Sequence, residues 1–186
     1  KNILNSVLFS LETLQSKSLD KLLLHNFDPR VDLVILSRTI SNLFEEGKIS
    51  KIGFCKWDVK SANELMNNLK IDSTYYFAQY PYSIVNEKFK NQLLYFKESN
   101  ILTEVYGIFA QGTLLGNNNV RHLTSFQSIK HHLNDKTAIL KFKEMSDRFK
   151  ENDNVAKWIL TEMLKNEFVD QVILGFSHTN QILSIV

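Results

Sequence analysis

Leu22-Leu23-Leu24-His25-Asn26 ends an apolar run on two polar residues, and the fold is decided by how that run is read. A continuous apolar run of this length reads as a strand buried on both faces. His25 then falls at its C-terminal end, where parallel α/β proteins gather their chemistry. Four further strand candidates follow, over residues 49–55, 73–79, 101–109 and 169–175. Helical sequence separates each from the next.

Upstream of the run, Val7, Leu8, Leu11 and Leu14 recur at helical spacing within residues 5–14. Downstream, Asp28-Pro29 marks a turn, and residues 31–46 form a helix with Gly47 as its stop. Asp58 is a candidate N-cap for a helix over 59–69. Pro81 closes the third strand. A helix over 86–99 carries Phe89, Leu93 and Phe96 on one face. Residues 111–136 start polar and Gly/Asn-rich, and read as a long loop with a helical piece. Helices over 139–150 and 154–165, the fifth strand and a last helix over 179–185 complete the chain. Strands spaced by one helix each require a parallel sheet with right-handed crossovers. A doubly wound open sheet and a TIM barrel both satisfy the pattern.

With 186 residues the chain is long enough for one domain with a real core. A net charge of +2 gives no case for electrostatic capture of nucleic acid or of a membrane surface. No apolar run reaches the roughly 18 residues of a membrane span. The single cysteine, Cys55, excludes an internal disulfide framework and fits a reducing cytoplasm. No signal peptide opens the chain, and a start at Lys1 rather than Met points to processing or a fragment. There are only 6 glycines and no Gly-rich phosphate loop, so a nucleotide would be held by other means. His131-His132 is not a metal spacing, and with His122 these histidines read as surface residues. No metal site is expected.

Several segments then fall in one family's order. Asp20-Lys21-Leu22-Leu23-Leu24-His25-Asn26, Lys51-Ile52-Gly53-Phe54-Cys55, Ile71-Asp72 and Gln79-Tyr80-Pro81-Tyr82-Ser83 come first. Phe109-Ala110-Gln111-Gly112-Thr113-Leu114-Leu115-Gly116 and Val172-Ile173-Leu174-Gly175 follow. Together they resemble the aldo-keto reductases over essentially the whole chain. The resemblance implies a single domain over 1–186 holding part of a TIM (β/α)8 barrel, strands 4–8 with their helices, N-terminally incomplete. It also implies NAD(P)H-dependent reduction of a small-molecule carbonyl. In the family the catalytic aspartate, tyrosine and lysine come from the first three strands, which have no counterpart here. A whole barrel is typically about 250 residues.

The same resemblance assigns residues. His25 matches the histidine that orients the substrate carbonyl, and a neutral imidazole N–H suits a developing alkoxide. Spacing alone favours a histidine merely satisfied at a strand terminus. Gln79 matches the glutamine that binds the nicotinamide carboxamide, its amide offering both donor and acceptor. Cys55 and Lys56 stand where Ser-Asn is usual, also at the carboxamide. A thiol weakens that bond and lysine offers no acceptor. As a lone cysteine beside a lysine, Cys55 reads either as a reactive thiol or as a partly buried inert one. Tyr106 matches an aromatic that stacks on the nicotinamide ring, or is a half-buried strand tyrosine. Gln111, Gly112 and Leu114 would lie beside the pyrophosphate. Gly175, Ser177 and Gln181 match the segment that grips the adenosine phosphate, where N–H groups of Ser177 and the last helix would serve. His178 is the only potential cation in that segment, so the choice between NADP and NAD rests on the family's lean to NADP. Trp57, Trp158 and most of the phenylalanines read as core.

Two functional readings follow. One is the C-terminal portion of a carbonyl-reducing oxidoreductase, inactive on its own. The other is a non-catalytic binding or regulatory protein on a decayed barrel. Either way, five strands of a closed barrel would leave open sheet edges, and those invite self-association.

Overall fold

The computed structural model describes residues 3–115, 154–183 and 185. The helix expected over 139–150, most of the long loop, and His122, His131 and His132 lie outside the described residues. Five strands occur among the described residues: β1 (Leu22–Leu24), β2 (Ile52–Cys55), β3 (Tyr76–Pro81), β4 (Leu102–Tyr106) and β5 (Gln171–Ile173). The helices are α1 (Ile3–Thr13), α2 (Leu33–Glu45), α3 (Val59–Leu69), α4 (Lys90–Glu98), α5 (Val155–Leu164) and α6 (Thr179–Leu183). The strands follow the order β1-β2-β3-β4-β5 in one parallel α/β sheet. This is the strand-helix alternation expected of the barrel class.

Local chemistry explains the element ends. The Asp32 carboxylate accepts the N–H groups of Val34 and Ile35 and starts α2, and Gly47 at φ +66° ends the turn after it. Asp58 starts α3 by accepting the Ser61 N–H, and Asn154 starts α5 through the Lys157 N–H. Two expected bounds move. Residues Ser73–Tyr75 form a 3₁₀ turn instead of strand, because Asp72 accepts both the N–H and the hydroxyl of Thr74. The fourth helix starts at Lys90, since Ser83 and Asn86 exchange backbone hydrogen bonds and hold that stretch as a turn.

The reading of the leucine run needs one correction. Leu22 and Leu23 are half-buried and only Leu24 is buried. β1 stands first in the sheet order among the described residues and pairs with β2.

The described chain divides into two compact units, Lys1–Gln79 with Leu94–Leu102, and Tyr80–Leu93 with Thr103–Val186. In the first, β1, β2 and β3 pair in parallel with Leu24 against Phe54 and Phe54 against Ala78. Ile52, Phe54, Tyr76 and Ala78 alternate onto one face and are buried. Phe54 stacks on Tyr76 (5.9 Å between centroids) and on Phe96 (6.1 Å), which fixes the sheet against the helical layer. Burial holds the Tyr76 phenol up at about 12. The opposite face carries Leu23, Gly53 and Phe77, which are register partners. The Phe77 ring fills the space that a side chain at Gly53 would need.

In the second unit, β4 pairs with β5, Glu104 against Gln171 and Tyr106 against Ile173. Asp170 locks the pair: its carboxylate accepts the Thr103 N–H and hydroxyl, both at 2.9 Å, and its own N–H donates to the Thr103 carbonyl. Tyr82 meets Phe168 edge-on at 5.2 Å.

An added methyl group at residue 53 would lie 2.1 Å from the Phe77 ring. Gly53→Ala is therefore expected to cost about 1–3 kcal/mol, through displacement of that ring. Urea unfolding of the two proteins measures it, and equal midpoints would show that the ring moves freely.

Candidate active site

The register of the first unit lines up its polar strand ends. Cys55 pairs with Gln79, and Leu24 pairs with Phe54, so His25 falls one step on, in the same row. By strand alternation this row lies on the face of Leu23, Gly53 and Phe77. Three C-terminal strand ends thus present an imidazole, a thiol and a carboxamide side by side. His25 is exposed and Gln79 half-buried. Cys55 is 1% exposed, which fits the inert reading and leaves an attacking thiol without access.

Lys56 follows Cys55 with φ +58°, in the left-handed region that L side chains avoid. An asparagine, usual there by resemblance, tolerates that conformation better. The turn leads to Trp57, which is buried between Phe27 (4.9 Å) and Phe54 (5.5 Å). It then enters α3 at Asp58, whose carboxyl the Ser61 N–H holds below the usual range. Sequence reasoning missed the Phe27–Trp57 pair. Its signal was spacing, since each aromatic lies two residues past a site residue, His25 and Cys55. The loop after His25 is fixed again by Asp28, which accepts the Arg30 side chain at 2.6 Å and 2.9 Å and its N–H at 3.0 Å. Those bonds pull the Asp28 carboxyl down to about 2.

The second unit holds the other expected residues. Tyr106 ends β4, half-buried, and Gly107 continues at φ +72°. The chain then makes the 3₁₀ turn Ala110–Leu115. Gln111 lies in this turn, with its side chain outside the description. Gly112 stands at φ +88°. Leu114 is buried, and its N–H reaches the Phe109 carbonyl at 3.3 Å. Past β5, Gly175 and Ser177 are exposed. The side-chain oxygen of Gln181 accepts the N–H groups of Ser177 (2.8 Å) and His178 (3.4 Å). The donors expected to hold a phosphate are thus occupied by the chain's own amide, which an anion would have to displace.

Tyr82, quoted in the family-like segment without a role, also has a fixed partner. Tyr82 donates its hydroxyl to Glu87 Oε1 at 3.2 Å. Burial, then the Glu87 charge, pushes its phenol well above the ordinary value. It stays protonated across the neutral range and ties the loop after β3.

No group of three His, Cys, Asp or Glu suited to a metal occurs among the described residues. Each unit by itself offers groups of a kind a nicotinamide nucleotide can use: a carboxamide at Gln79 in the first, and an aromatic ring at Tyr106 with glycine-bearing turns in the second. A Cβ built at Gly107 or Gly175 would meet nothing within 4 Å, so both strand ends leave room for a ligand.

The chain belongs to the aldo/keto reductase family, whose model matches residues 1–186. Among curated proteins it is similar to aldo-keto reductase YhdN of Bacillus subtilis (strain 168). Identity there is 26% over 156 residues, covering 83% of this chain and 46% of that protein. The chain therefore spans about half the length of that relative. Among solved structures it is similar to the glycerol dehydrogenase AKR11B4 from Gluconobacter oxydans. That match has a TM-score of 0.72 and 18% identity, covering 96% of this chain and 60% of the other. The thermostable aldo-keto reductase Tm1743, solved in complex with the inhibitor epalrestat, matches with a TM-score of 0.69 and 12% identity. Coverage there is 98% and 58%. At these identities the solved structures show the fold. No helix among the described residues is long and apolar enough to cross a membrane.

Replacing Lys56 by glycine removes the side-chain clash at positive φ, and is expected to raise stability by about 0.5–1 kcal/mol. Thermal unfolding reads this out, and a lower Tm would show that the lysine side chain contributes more than its backbone costs. The Asp28 pKa is depressed, so its contribution to stability is full above the ordinary carboxylate range and is lost as pH falls through about 2. Carboxyl NMR titration is expected to find Asp28 titrating near that value, and Arg30→Ala to return it to the ordinary range.

Proposed function

We propose that this chain forms the cofactor- and substrate-binding portion of an NAD(P)H-dependent oxidoreductase that reduces an aldehyde or ketone to an alcohol. The observation that carries the reading is the row His25, Cys55, Gln79 along three C-terminal strand ends. In barrel enzymes that end carries the chemistry. Family membership supports it.

A reduced nicotinamide, when bound, supplies the hydride. Gln79 orients the carboxamide, donating through its NH2 and accepting through its oxygen. The buried Cys55 thiol adds a weak bond beside it. Lys56 supplies no acceptor where the family's pattern has one. His25 donates an N–H to the carbonyl oxygen, polarising it and stabilising the alkoxide as it forms. By resemblance, Tyr106 packs against the ring, Gln111, Gly112 and Leu114 flank the pyrophosphate, and Gly175, Ser177 and Gln181 meet the adenosine phosphate. NADP is favoured over NAD by the family's lean alone, since the last segment offers only His178 as a cation. The proton donor comes, by the same resemblance, from strands that precede Lys1 in the family's pattern. Turnover is therefore expected of the full-length protein and not of residues 1–186 alone.

The test is reduction of a panel of aldehydes and ketones by the full-length protein with NADPH and with NADH. His25→Ala is expected to lower kcat about 10²–10³-fold, the cost of one oxyanion donor, with little change in nucleotide affinity. Nucleotide binding with no reduction of any carbonyl would favour the non-catalytic alternative. An unchanged kcat in the variant would remove His25 from the site.

A further inference from the structure

His25 stands one step past the end of the β1–β2 ladder. Parallel pairing of the two strands runs from Leu22 with Ile52 to Leu24 with Phe54 and stops there. Cys55 is held further by its pairing with Gln79 on β3. β1 is only three residues long, and His25 is exposed beside a groove of about 950 Å³ that runs along it. A hydrogen-bond donor that serves one reacting oxygen must be held close to one position. At His25 that task falls to the chain just beyond the strand.

The brace there is aromatic. Phe27 comes two residues past His25 and Trp57 two past Cys55, and their rings meet at 4.9 Å with planes tilted by 55°. Trp57 is 3% exposed and lies 5.5 Å from Phe54, which is itself stacked on Tyr76 and Phe96. Phe27, half-buried, is thus the outermost of a chain of rings anchored in the core of the first unit. The Asp28–Arg30 bonds close the turn on itself, two residues apart, whereas the ring contact ties it to the loop after β2. The inference rests on the role given to His25 under the proposed function. We propose that the Phe27–Trp57 contact positions His25, holding its imidazole in one row with Cys55 and Gln79. Phe27 acts through the backbone that joins it to His25, which makes it a positioning residue. The contact needs a flat ring on both sides, because ring edges and faces give a preferred geometry that an aliphatic side chain lacks.

Phe27→Leu keeps an apolar side chain over Trp57 and removes the ring. In the full-length protein it is expected to lower kcat for carbonyl reduction about tenfold and to leave the nucleotide dissociation constant within about twofold of the wild type. Phe27→Tyr keeps the ring and is expected to retain the wild-type kcat. A second readout needs no turnover. The His25 ring signal in a ¹H–¹³C NMR spectrum is expected to be single and sharp in the wild type, and shifted or broadened in Phe27→Leu. Phe27→Met gives the same test if the leucine variant does not fold. An unchanged kcat or an unchanged imidazole signal in Phe27→Leu overturns the proposal, and so does an equal loss in Phe27→Tyr. In those cases a large drop in His25→Ala leaves the reading of the site standing. If His25→Ala itself leaves kcat unchanged, the site reading fails and this inference fails with it.

Discussion

Parallel hydrogen bonding sets Leu24 against Phe54 and Phe54 against Ala78, and the row of His25, Cys55 and Gln79 in the first unit follows from that register. A slip of one residue would turn each strand's side chains to the other face. His25, Cys55 and Gln79 would then point into the helical layer, and Phe54 would lose its stack with Phe96. The register is held by shape as well as by hydrogen bonds. Gly53 leaves the gap that the Phe77 ring fills, which ties β2 to β3 in this alignment. On the helical side, Phe54 is pinned between Tyr76 and Phe96.

The loops past the strand ends are held by separate local devices. Asp28 and Arg30 close the turn after His25, Phe27 and Trp57 bring two loops together, and Asp58 turns the chain into α3. A binding site built at strand ends needs such stiffness, because scaffold strands fix only the first residue of each loop. The positive φ of Lys56 fits this pattern, since strained backbone collects where a turn must aim side chains. In the second unit, the Thr103–Asp170 lock does comparable work by joining β4 to β5 ahead of Tyr106 and Gly175.

Much of this was legible in the sequence, and the rest was hidden for physical reasons. The helix from Val59 to Leu69 with its Asp58 cap could be read directly, because a cap and an amphipathic stripe are local. The order of strands and helices was equally plain. The partial exposure of Leu22 and Leu23 was not, because a leucine run looks the same whether its faces are fully or half covered. The turn at Ser73–Tyr75 depends on one Asx bond that strand-like residues concealed. Of the candidate site, His25, Cys55 and Gln79 were each named from family resemblance, and only the register puts them in one row. The burial of Glu104 in β4 was hidden too, because a single acidic residue in a strand-like run is normally assigned to the solvent face. The use of Gln181 to occupy the Ser177 and His178 N–H groups also needed coordinates.

Family membership and five parallel strands are established; what the whole protein does with them is the account's central claim. A crystal structure of the full-length protein with oxidised nicotinamide nucleotide would test it most directly. The account predicts the carboxamide of the nucleotide hydrogen-bonded to Gln79 at the C-terminal end of β3, with His25 left open to a carbonyl. A nucleotide bound at the N-terminal ends of the strands, or one leaving Gln79 untouched, would contradict it.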